Sequence, residues 1–188
     1  PAGEGAARKV SSKNVRETLL VTDKSWSGRL SSYSRTGSWK PHHFGGEIVD
    51  GSLAKSDLSV ESTAGRSWAP VTEVSVPAHK VTPQMVELNQ ITDTINPVAI
   101  VQIAQDTFIV DMGRTLTGWF EMGFGKLEKS KEIVIEYFDN LDDYRSFSPP
   151  DKYIAAGEGS EMFRNKFNYT GYRYLRISNL PGMPELDS

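Results

Sequence analysis

An all-β chain, built as an antiparallel β-sandwich or jelly-roll-like fold with little or no helix, is what this sequence predicts, and three observations carry it. Short apolar-rich segments recur at intervals of roughly 8 to 14 residues, separated by glycine, proline or Asp/Asn clusters, which is the rhythm of strands and turns in a sandwich. Several segments alternate with a period near two, among them residues 68–76 (WAPVTEVSV). No segment holds the apolar spacing of an amphipathic helix.

Taken in order, residues 1–12 are small and polar and read as a frayed end or an inherited linker. Residues 14–23 (NVRETLLVTD) read as a strand, with Thr22 to Ser25 as the turn that delivers Trp26. Residues 28–43 are rich in serine and aromatics and read as a loop, whereas 44–53 (FGGEIVDGSL) form a glycine-bracketed strand candidate. Residues 54–66 are polar and turn-prone, and 77–90, with two prolines, read as a connection. The organisation expected is therefore a partial jelly-roll-like module, or strands contributed to the sandwich, over 1–90, followed by a β-sandwich domain over 91–188.

The second half supplies strand candidates at 98–103, 108–111, 117–124, 133–138, 152–156, 161–164 and 172–178. Side chains alternate across a strand, so Phe120, Met122 and Phe124 share a face that should be core, with Trp119, Glu121 and Gly123 opposite. Ile133, Ile135 and Tyr137 oppose Val134 and Phe138, which makes that strand central or covered. In the last strand Leu175 and Ile177 point one way with Arg173, and Tyr172, Tyr174 and Arg176 point the other.

Composition narrows the function classes. The chain has 188 residues, 38% hydrophobic and 24% charged, with 21 basic and 24 acidic residues and a net charge of −3. That balance leaves no basic footprint for nucleic acid or an anionic membrane, and no apolar run is long enough to span one. The absence of cysteine excludes disulfides, thiolate metal sites and cysteine nucleophiles. With Pro1 at its start and a linker-like 180–188 at its end, the chain is expected to be cut from something longer.

Four groups of residues are candidates for a site. Residues 111–119 (DMGRTLTGW) combine Asp111, two glycines and an aromatic anchor. Gly113 and Gly118 are expected to let the chain turn and Trp119 to restart the core, at a cost of about 3–5 kcal/mol for Trp119→Ala if the ring is buried. Tyr33, Trp39 and the adjacent His42 and His43 offer stacking and hydrogen-bonding groups for a sugar, against the plainer reading of an exposed loop. Tyr172, Tyr174 and Arg176 offer a surface for a neighbouring domain, and Arg173 is expected to pair with Asp111 or Glu121. Asp139, Asp142 and Asp143 form the densest carboxylate group, but without the spacing or glycine of a calcium loop they read as a hairpin turn. No catalytic constellation, no metal site and no cofactor is expected; calcium at the acidic turn is the alternative, and the spacing there does not support it.

The segment 111–119 resembles the "D-[FM]-G-[QR]-N-x-x-G-W" motif of the bacterial α-L-rhamnosidases, with Thr115 in place of the usual asparagine. Glu136 to Asp139 followed by Leu141 resembles the family's "Y-A-E-x-L" strand end. Asp151-Lys152-Tyr153, Gly157 and 167–174 (FNYTGYRY) resemble its "D-x-Y…G…F-x-Y-H-G-F-R-Y" ending, with Thr170 where histidine is common and with Gly171 and Arg173 in register. In the first half, 22–26 (TDKSW), 45–53 (GGEIVDGSL) and 68–70 (WAP) are similar to the later part of the preceding jelly-roll module, with Gly51-Ser52 where Ala-Arg is usual. The resemblance implies glycoside hydrolases built from β-sandwich modules and a helical barrel. Inverting hydrolysis needs two carboxyl groups about 6.5–9.5 Å apart, and in the family those acids lie on the barrel, in a segment absent here. The implied role is a noncatalytic scaffold that supports a downstream catalytic domain of the same parent, in a periplasmic or secreted protein acting on rhamnose-containing polysaccharides or glycosides. The alternative is a carbohydrate-binding module for rhamnose-containing glycans.

Overall fold

The computed structural model of the chain describes residues 9–12, 15–18, 21–38, 45–54, 68–75, 78, 80, 82–142 and 149–184. Trp39, His42, His43 and Asp143 lie outside the described residues. In chain order the elements are β1 (Lys9–Ser12), β2 (Val15–Thr18), β3 (Ser27–Gly28), β4 (Tyr33–Arg35), β5 (Glu47–Asp50), the single helical turn α1 (Gly51–Ala54), β6 (Ala69–Pro70), β7 (Ala99–Ala104), β8 (Thr107–Gly118), β9 (Glu121–Phe124), β10 (Glu132–Phe138), β11 (Asp151–Ile154), β12 (Glu161–Arg164) and β13 (Thr170–Ser178). The fold is all-β, as the strand rhythm predicts. Contacts divide it into two compact units, Pro1–Leu30 with Leu58–Asn89, and Ser31–Asp57 with Gln90–Ser188.

The first unit holds the β1–β2 hairpin and the short antiparallel pair β3–β6. The turn expected before Trp26 is present: the Ser25 N–H and hydroxyl both donate to Asp23 Oδ1, and the Trp26 N–H donates to the Asp23 carbonyl. This is an Asx turn, in which a short side chain imitates a backbone turn. Of the strand expected over 68–76, the described residues 68–75 form only Ala69–Pro70, where proline has no N–H to extend a ladder.

The second unit is a sandwich. Its larger sheet has the order β4-β5-β11-β10-β13-β8-β7 and is antiparallel except where β5 and β11 run parallel. The smaller sheet pairs β9 with β12. Between them lies an apolar core of Phe108, Val110, Met112, Ile133, Ile135, Tyr137, Leu175 and Ile177 from the large sheet, against Met122, Phe124 and Phe163 from the small one. The inward face expected for β9 is the one observed, and β10 is a central strand of the larger sheet, as expected. Phe124 lies over Tyr153 with ring centroids 5.0 Å apart.

Four expectations are corrected here. The stretch Asp111 to Trp119 is no turn: β8 is continuous through Gly118, pairs with β13, and passes the chain through Trp119 and Phe120 to the smaller sheet. Trp119 is 40% exposed, so the core anchor at this junction is Phe120, which packs beside Phe163. Tyr172 does not face outward with Tyr174 and Arg176. The β13–β8 register shifts between Tyr172 and Tyr174, where β8 residues 112–115 stand opposite Arg173 alone. Such a bulge reverses the alternation, so Tyr172 is 1% exposed, in the core with Leu175, its ring 5.1 Å from that of Tyr137. Residues 28–43, read as a loop, also contain the edge strand β4.

Candidate functional site

The bulge gathers the residues singled out by the sequence. Asp111, at the last position before β8 departs from register, accepts Arg173 Nε and the Gly113 N–H on Oδ1 (3.1 and 2.7 Å) and Arg173 Nη2 on Oδ2 (3.2 Å). The Arg173 hydrogen bond is the main reason the Asp111 carboxyl titrates below the ordinary aspartate range. Of the two carboxylates expected for Arg173, Asp111 is the partner; Glu121 pairs with Arg164 instead. The Arg173 guanidinium also lies 4.8 Å from the Tyr174 ring centroid. Gly113 has φ +76°, and a Cβ there would sit 3.0 Å from Val98, so this glycine is required on both counts. Gly118 is not: its φ is unexceptional, and a Cβ would meet only Leu116 at an ordinary 3.8 Å, because the chain there is plain strand. Gly171 likewise has room for a side chain.

A second, buried polar cluster was not singled out from the sequence. Glu47, fully buried in β5, turns its carboxylate on three consecutive backbone donors, the N–H groups of Lys166, Phe167 and Asn168, at 3.0, 2.9 and 2.6 Å. Successive N–H groups converging this way make an anion-binding nest. Here the anion is the protein's own side chain, tying β5 to the loop before β13. The Glu47 N–H donates to Asp151 Oδ1 at 2.6 Å, and Asp151 Oδ2 accepts from the Tyr137 hydroxyl and Asn165 Nδ2, each at 2.6 Å. Asn165 holds Phe120 from both sides, accepting its N–H on Oδ1 and donating its own N–H to the Phe120 carbonyl. Gly46 precedes Glu47 because a Cβ there would run into the carbonyl oxygen of Pro150.

Glu161, at the start of β12, repeats the device. Its Oε2 accepts the Tyr153 hydroxyl and the Ala156 N–H, both at 2.7 Å, and its Oε1 accepts the N–H groups of Gly157 and Glu158 at 2.8 and 3.2 Å. The electrostatic results differ. Burial pushes the Glu161 carboxyl up, yet the four donors together prevail and hold it below the ordinary glutamate range. At Asp151 burial wins over its donors and raises the carboxyl. Burial also drives Tyr137 well above the ordinary tyrosine range and Tyr172 up to about 12.

Of the sugar-binding candidates, Tyr33 alone is described. Its hydroxyl donates to the Arg164 carbonyl at 3.0 Å and its ring meets Phe167 edge-on at 5.9 Å, so it braces the β12–β13 loop. Arg176 forms a paired contact with Glu136 (2.8 and 2.9 Å) on the outer face of the large sheet, beside Tyr174. In the first unit Arg29 lies 5.2 Å from the Trp68 ring, beside an open cleft lined by Gly28, Arg29, Leu30, Ala69, Pro70 and Val71. The Asn140 side chain caps the Asp142 N–H in the exposed acidic turn, and no group of three or more His, Asp and Glu among the described residues is placed to hold a metal ion.

The buried cluster had a sequence signal. Glu47 alternates with Val49, and Glu161 with Phe163, so each carboxylate shares its strand face with a buried apolar residue. A carboxylate there is retained only with donors around it.

Comparison with known proteins accounts for both halves. Residues 6–93 match the family model of the α-L-rhamnosidase N-terminal domain, and residues 101–188 that of the bacterial α-L-rhamnosidase concanavalin-like domain. An α-L-rhamnosidase of Alteromonas sp. (strain LOR) is 24% identical over 168 residues, covering 85% of this chain and 18% of the relative. One from Formosa agariphila is 22% identical over 156 residues, covering 77% and 16%. The chain thus spans less than a fifth of the length of these curated relatives. Among solved structures, an α-L-rhamnosidase from Dictyoglumus thermophilum superposes with a TM-score of 0.73 at 25% identity, over 92% of this chain and 20% of that one. The Aspergillus terreus enzyme shares the fold, with a TM-score of 0.62 at 15% identity over 94% and 21%. Matched over both halves by models of consecutive rhamnosidase domains, the chain belongs to the bacterial α-L-rhamnosidase family as its N-terminal and concanavalin-like region.

Proposed function

We propose that this chain is the noncatalytic scaffold of a larger α-L-rhamnosidase, whose acid pair lies on another domain of the same parent and removes terminal α-L-rhamnose from polysaccharides or glycosides. The observation that carries the reading is the use made of the buried carboxylates. Glu47, Asp151 and Glu161 are each turned on donors of their own fold, two of them on runs of backbone N–H groups. A general acid or base must reach a substrate proton within hydrogen-bonding distance, and these groups are taken up by strands and loops of the fold itself.

The outer face of the large sheet, with Tyr174 and the Arg176–Glu136 pair, is the surface offered to a neighbouring domain of the parent. The test is hydrolysis of an aryl α-L-rhamnoside by the parent protein and by this chain alone. The parent turns over and the chain does not. Turnover by the chain, abolished by replacing one of its own carboxylates, would overturn the proposal.

The carbohydrate-binding alternative is supported by a different observation, the half-exposed Trp68 with Arg29 stacked on it beside the open cleft of the first unit. Aromatic rings beside hydrogen-bonding groups suit a pyranose face. Calorimetry with rhamnose separates the two: a saturable heat lost in Trp68→Ala selects the binding module.

A further inference from the structure

The two edges of the large sheet are not alike. β4, at one edge, has three residues and ends on Arg35. Short length and charge are how natural sheets protect an edge. β7, at the other, runs six residues, and the segment 97–105 (PVAIVQIAQ) has no charged side chain. It pairs on one side only, with β8, so alternate N–H and C=O groups point away from the sheet. Among the described residues of its own unit nothing folds back over them: Val101 is 56% exposed and Ile103 52%, and Gln102 and Ala104 are exposed as well. The irregularity between Gln102 and Ala104 limits the regular edge to the first four residues of the strand.

The path of the chain brings further polypeptide to this edge. β13 runs through the middle of the sheet, and just past its end the Leu180 N–H donates to the Asp106 carbonyl in the β7–β8 turn at 3.0 Å. Polypeptide beyond Leu180 therefore leaves beside the C-terminal end of β7. The curated relatives are more than five times the length of the region they share with this chain, which covers 18% and 16% of them. A strand tethered to the same polypeptide arrives at high effective concentration, whereas a second copy pairing through four regular residues would bury far less than the roughly 1,000 Å² a stable interface needs.

We infer that in the parent protein β7 is completed by an extended strand from the polypeptide downstream of residue 188, which adds an eighth strand to the large sheet. The added strand is uncharged where it faces Val101, since a charge there would meet apolar surface with no counter-ion. This rests on the reading of the chain as part of a longer rhamnosidase.

The test is residue-level hydrogen–deuterium exchange on the full-length parent, with a photoreactive side chain at position 102 cross-linked in the same preparation. Expected are exchange slowed roughly a hundredfold at the β7 amides that do not face β8, given the protection of paired strands, and a cross-link to a peptide beyond residue 188 of the same chain. Exchange at those amides as fast as in unstructured peptide overturns the inference, as does a cross-link joining two copies or any other segment. A parent active on an aryl rhamnoside with an open β7 refutes the added strand alone. A parent without that activity refutes the reading beneath it.

Discussion

Glu47 shows what a single side chain does here. It accepts three backbone N–H groups across some 120 positions of sequence, and Glu47→Ala leaves those part-buried donors without their acceptor. Each orphaned donor costs about 1–3 kcal/mol before relaxation or water entry; the expected loss is roughly 3–5 kcal/mol, read by denaturant unfolding. Gly113→Ala is expected to cost about 1–3 kcal/mol, from φ +76° and the crowding of Val98, while Gly118→Ala changes stability by about 0.5 kcal/mol or less. The pair separates the observed bulge from a turn hinged on both glycines.

Titration gives opposed signs at two residues. Glu161 has a folded value below its unfolded 4.5, so its contribution is present above that pH and is lost as the pH falls through the folded value. Asp151 has a folded value above its unfolded 3.8, so the folded state takes up its proton first and this carboxyl adds stability as the pH falls. Glu161→Gln should therefore flatten the acid limb of a stability–pH curve and Asp151→Asn should steepen it; the same sign for both would contradict the assignment.

Among the elements, β10 and β12 were legible at their observed bounds, or within a residue of them, because each is a regular alternation of core and surface residues. β13 was legible as a strand but not in its facing, and β8 was read as two strands with a turn between them. Alternation is a local rule, and the bulge opposite Arg173 that breaks it is set by the Asp111–Gly113–Arg173 contacts, which join residues 62 positions apart. Hence Tyr172 was placed outward and Trp119 inward, and both are corrected. Tyr172→Ala should cost roughly 3–5 kcal/mol as a buried aromatic, whereas Tyr174→Ala, on the outer face, should cost about 1 kcal/mol or less. Equal costs in thermal unfolding would place both rings in one environment. The buried carboxylates were missed because a lone Glu or Asp in a strand pattern reads as a surface residue until the donors packed around it are seen.

At the scale of the molecule, the sandwich and the family were legible because strand rhythm and several ordered motifs agree. The sequence left open whether the first half forms a module of its own or contributes strands to the sandwich; in the structure β4 and β5, from the first half, join the sheet of the second. The central claim is that the carboxylates of this region stabilise a scaffold and do no chemistry. It is tested by installing Glu47→Gln, Asp151→Asn and Glu161→Gln singly in the full-length parent and measuring Tm and kcat on an aryl α-L-rhamnoside, the latter well below each variant's Tm. The account predicts that Tm falls, by about 2–4 °C per kcal/mol lost in a domain of this size, while kcat stays near that of the unaltered parent. A collapse of kcat by several orders of magnitude at unchanged Tm, in any one of the three, would contradict it.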